Sequence, residues 1–131
     1  MNTRRKIVLT LVTVFIAIQF FRPAKNKSVG DNPADLLIQF NVPEKVAGIL
    51  KTSCYDCHSN NTRYPWYTNV QPMGWLLSKH IREGKEAINF NEFGTFSKRR
   101  QQSKMKAIHN SIRDGSMPLV SYTLLHPAAE L

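Results

Sequence analysis

Cys54-Tyr55-Asp56-Cys57-His58 contains both cysteines of a 131-residue chain and the first of its four histidines. The spacing is C-x-x-C-H, the pattern that attaches a c-type haem. Two thiols about one helical turn apart can add to the two vinyl groups on one edge of a haem, and an imidazole directly after the second thiol lies under the iron. On this reading Cys54 and Cys57 carry the thioethers and His58 is the proximal axial ligand. Two rivals have to be weighed. A disulfide, or a redox C-x-x-C of the thioredoxin kind, is one, but the latter follows a strand in a βαβ setting, whereas here the motif follows a helical stretch. A closed structural zinc site is the other; it takes four ligands, and the chain has no further cysteine.

Outward from the motif the pattern is helical, and the expected fold is all-α: a small cytochrome c-like domain. Upstream, Pro33 to Phe40 is a short apolar segment. Pro43 suits a first helical position, and Val46, Ile49 and Leu50 follow at helical spacing. The same phase carried forward puts Cys54 and Cys57 on that apolar side. Downstream, Ser59 to Pro72 reads as a loop with the aromatics Tyr64, Trp66 and Tyr67 interleaved, candidates for packing on the cofactor or for ordinary anchoring of the loop. Gly74 to Ile88 reads as a helix, Asn89 to Thr95 as a turn, and Ser97 to Arg113 as a further helix with Met105, Ile108 and Ile112 spaced three, then four. The basic residues Lys98, Arg99, Arg100, Lys104 and Lys106 on that helix are most simply a solvated face. Gly115 follows as a C-terminal cap.

Ser116-Met117-Pro118 comes next. Proline forces the residue before it toward extended geometry, and a thioether presented from a loop is how cytochromes c supply the sixth ligand. Met117 lies 59 residues after His58 and is the expected distal ligand, the alternative being an apolar plug. His80, on a helix with apolar neighbours, is the main rival and would make a bis-His site. His109 and His126 read as surface or capping histidines.

At the start of the chain, Arg4, Arg5 and Lys6 precede Ile7 to Phe21, in which only Thr10, Thr13 and Gln19 are polar. That is the layout of an export signal or an uncleaved signal anchor over residues 1–21. No small-x-small cleavage site follows, and no cysteine for lipidation. Residues 22–32 read as a linker and 33–131 as one domain. The formal charge is +9. Without the three basic residues of the signal, 15 Lys and Arg stand against 9 Asp and Glu, a surplus suited to an acidic redox partner or to anionic lipid. Nucleic acid is not an expected partner of an exported chain. The expected place is the periplasm, at the inner membrane.

The blocks Cys54 to Asn60, Tyr64-Pro65-Trp66-Tyr67, His80 to Gly84, Asn89-Phe90, Met117-Pro118, Tyr122 and Leu125-His126-Pro127 together resemble the bacterial haem-binding domain family, from about Leu36 to the end. The resemblance implies an exported protein with one covalent haem at Cys54 and Cys57 and His58 as ligand. It does not bring a defined reaction with it. In the family the His-Pro segment is followed by an acidic, apolar-patterned helix, whereas this chain stops at Leu131. The expected function is one-electron carriage by a single haem c. A haem enzyme or sensor of the peroxidase-like or gas-binding kind would instead need an open sixth position. A haem-free interaction module held by a disulfide is the third class.

Overall fold

The computed structural model describes residues 2–30 and 32–131, so the segments expected to be a signal or anchor (1–21) and a linker (22–32) are covered apart from residues 1 and 31. The described residues form helices and 3-10 turns without strands, which bears out the all-α expectation. In chain order the helices are α1 (Thr3–Ile18), α2 (Leu36–Gln39), α3 (Glu44–Ser53), α4 (Tyr55–His58), α5 (Met73–Ala87), α6 (Lys98–Arg113) and α7 (Val120–Thr123). They group into two compact units, one made of the segment up to Lys25 with Arg63–His80, the other of Asn26–Thr62 with Ile81–Leu131.

In the first unit, α1 has 16 residues, a length of roughly 24 Å at 1.5 Å per residue. No helix among the described residues is long and apolar enough to cross a membrane. The residues after α1 are tied to the segment around Gln71 by a reciprocal pair. Gln71 N donates to Gln19 Oε1 at 2.8 Å, and Gln19 Nε2 donates to Gln71 O at 3.3 Å. Trp75 Nε1 donates to Phe21 O at 2.7 Å.

The second unit is built on an apolar cluster of Leu36, Ile88, Phe90 and Phe93, with Leu50, Cys54, Tyr55 and Ile108 packed against it. Capping sets its elements. Asp35 Oδ1 accepts from Leu37 N at the start of α2, and Ser97 Oγ accepts from Arg100 N at the start of α6, each covering an amide that the first helical turn leaves without a partner. Pro43 stands one residue before α3. That helix ends at Cys54, whose φ of −126° and ψ of −42° are not helical, and α4 starts afresh at Tyr55. The C-terminal 3-10 turn Pro127–Ala129 packs on α3.

Candidate functional site

The two residues inside the C-x-x-C spacing fix the motif in place. Tyr55 stacks on Phe90 with ring centroids 5.1 Å apart and donates its hydroxyl to Asp35 Oδ1 at 3.0 Å. Asp56 is buried; its Oδ2 accepts from Tyr122 Oη at 2.8 Å, and its backbone oxygen accepts from Thr62 Oγ1 at 2.6 Å. The turn after the motif is held by asparagines: Asn60 N donates to Asn91 Oδ1, and Asn89 Nδ2 to Asn60 Oδ1. Asn91 in turn donates to the second oxygen of Asp35.

His58 is oriented by the end of α5. Its Nδ1 is 2.8 Å from Gly84 O and 3.1 Å from Ile88 O. A carbonyl only accepts, so Nδ1 carries the proton and Nε2 keeps its lone pair. Burial pushes the His58 pKa below its ordinary value, against the two carbonyls, which favour the charged form. The balance favours the neutral ring, the form that binds metals. Gly84 makes this approach possible. A Cβ there would lie 2.7 Å from the carbonyl oxygen of Cys57, so any larger residue would force α5 away from α4.

Cys54 and His58 line an open cleft in the second unit. One wall is a stripe of α6, Lys104, Ala107, Ile108, Ser111 and Ile112, and the others include Ala87, Ile88, Phe90, Met117 and Pro118. The lining is mostly apolar. Its one lysine, Lys104, donates from Nζ to Ala87 O at 2.6 Å, capping the end of α5. Met117 arrives through a turn that only glycine enters easily. Gly115 has φ of +72°, Ser116 N donates to Asp114 Oδ1, and Met117 N donates to Ser111 O at 3.1 Å.

Both cysteines are free thiols, and burial pushes each up to about 11. The site thus gathers Cys54, His58 and Met117 around one cleft. Cys57 is half-buried with its backbone against Gly84, and is not among the residues lining that cleft. Tyr64, Trp66, Tyr67 and His80 belong to the first unit. There Trp66 is 79% exposed and packs edge-on to Tyr67, and Lys25 Nζ sits 5.4 Å from the Tyr64 ring centre. His109 is exposed on α6. His126 stacks on Tyr122 at 4.2 Å, with Nδ1 3.0 Å from Tyr122 O. Among the described residues no three His, Cys, Asp or Glu side chains are gathered as a metal site. The parts that sequence reasoning missed are Asp35, the anchoring roles of Asp56 and Tyr122, and Lys104 as part of the lining. Only the Asp at an N-cap position before an apolar turn had a local signature.

A neutral imidazole with a free Nε2, a thioether and a wide apolar cleft fit a flat apolar cofactor with a metal at its centre. The haem-binding domain family matches residues 13–131. No curated protein and no solved structure matches the chain.

Proposed function

The chain belongs to the haem-binding domain family, and from that premise we propose that it is an exported c-type cytochrome carrying one electron on a single covalent haem. When bound, that group supplies an iron that alternates between ferric and ferrous states. Cys54 and Cys57 would hold it by thioethers, His58 by Nε2 and Met117 by its sulfur. Lys104, the one lysine of the lining, would be the partner for the carboxylates of the group. The observation that carries this reading is the pair of carbonyls on His58 Nδ1, because a proton fixed there leaves Nε2 as the ligating atom and makes the ring a stronger donor. With the group in place, the apolar walls would lower the polarity around that nitrogen, which bears on the potential.

A second reading, a haem enzyme or sensor with a weakly held sixth position, is favoured by one feature: Met117 is 38% exposed. Under either reading the chain is exported and acts in the periplasm. The apolar residues exposed along α1 support an attachment to the inner membrane, and the exposed Lys98, Arg99, Arg100 and Lys106 support an acidic redox partner.

Protein matured in an exporting host with a haem-attachment system is expected to gain the mass of one haem that survives denaturation. Haem that comes away completely in acidified organic solvent would remove the covalent part of the proposal. Protein with no Soret absorbance at all would remove the whole of it.

A further inference from the structure

The first unit contains a small cleft that the haem reading does not use. It is lined by Arg22, Lys25, Tyr64, Gln71, Gly74 and Ser78, among others, and no Asp or Glu is in the lining. Gln71 is 1% exposed. Its Oε1 accepts from Trp75 N at 3.1 Å, which caps the first turn of α5 and fixes which end of the amide is which. Its Nε2 is buried without a hydrogen-bond partner. A buried donor left unmade is costly to the fold, so an orphan of this kind calls for an acceptor that completes it.

Gly74 lets α5 pack closely against that amide and the Thr68 carbonyl. A Cβ there would stand 2.9 Å from Gln71 Nε2 and closer still to Thr68 O. Two cationic side chains, a buried amide donor and a serine hydroxyl together suit an oxyanion with several acceptor oxygens.

We propose that this cleft binds a phosphate group, with Gln71 Nε2 as the buried donor and Arg22 and Lys25 as its charged partners. Such a group could come from the headgroup of an anionic phospholipid or from a free phosphate. The proposal is independent of haem binding.

The test uses the full-length protein and three probes: inorganic phosphate, glycerol phosphate, and phosphatidylcholine vesicles with and without phosphatidylglycerol. Gln71→Glu keeps the acceptor for Trp75 N and replaces the orphan donor by a negative oxygen. Lys98→Gln, on α6, makes the same change in net charge elsewhere. Saturable movement of the Ser78 backbone amide resonance with phosphate or glycerol phosphate, lost in Gln71→Glu and kept in Lys98→Gln, and accompanied in the wild-type protein by movement of the Gln71 side-chain amide resonances, is the expected result. If vesicle binding also falls about tenfold or more in Gln71→Glu relative to Lys98→Gln, the source is lipid; if the two variants bind vesicles alike, it is free phosphate. Unmoved Gln71 resonances with all probes, together with equal vesicle binding by both variants, would overturn the proposal. Ser78→Ala repeats the comparison should Gln71→Glu lose its helical signal.

Discussion

His58 is held with Nδ1 toward two carbonyls by the residues at the end of α5. Gly84 contributes a carbonyl to Nδ1 and, by lacking a side chain, the room for α5 to lie against the Cys57 backbone. The obstruction facing a Cβ at Gly84 is a main-chain oxygen, which cannot swing aside as a flexible side chain could. Gly84→Ala is therefore expected to destabilise the protein by about 1–3 kcal/mol, as overpacking does. Gly48 is the internal control. It lies within α3 with nothing inside 4 Å of an added Cβ, so Gly48→Ala should stabilise by roughly 0.5–1 kcal/mol through the helical backbone alone. Urea titrations of the two variants would check both signs; equal and opposite-to-expected shifts would mean that α5 and α4 are not in contact at this point.

At the scale of elements, the sequence pattern located the helices well and misjudged how two of them are used. The apolar phase of α3 was expected to run on through Cys54 and Cys57, but the helix breaks at Cys54. The residues that hold the new turn are Asp35 and Tyr122, 20 positions before Tyr55 and 66 after Asp56, and no local periodicity can report bonds over such separations. On α6, Ile108 and Ile112 do line the cleft, whereas Met105 is 50% exposed. The face that is used runs through Lys104, Ala107 and Ser111, residues that a hydrophobicity pattern ranks low. The Gly115 cap was legible because a positive φ selects glycine, and it is present. The Tyr122 hydroxyl offers a direct measure of the long-range anchoring. Hydrogen bonds to charged groups contribute about 1.5–3 kcal/mol, so Tyr122→Phe, which removes the hydroxyl that donates to Asp56, should lower the stability by that amount. A loss under about 0.5 kcal/mol in a urea melt would show that α7 does not hold the motif.

For the molecule as a whole, the decisive feature is that His58 and Met117, 59 residues apart, line one cleft, while His80 belongs to the other unit. The chemistry of the motif could be read locally; the pairing of its histidine with a particular sixth residue could not, because it depends on how Ile81–Leu131 returns to Asn26–Thr62. The sixth ligand is thus the point at which electron carriage and small-molecule binding part. If Met117 completes the coordination, oxidised holoprotein shows a weak near-infrared band from sulfur-to-iron charge transfer. Met117→Ala then abolishes the band and lowers the reduction potential, since a thioether favours ferrous iron. His80→Ala should leave band and potential unchanged. A low-spin spectrum that turns high-spin with His80→Ala, and is indifferent to Met117→Ala, would instead make the site bis-His. Wild-type protein that is already five-coordinate and takes up carbon monoxide when reduced would leave the sixth position open, because neither side chain then competes with an incoming ligand, and the enzyme or sensor reading would replace that of an electron carrier.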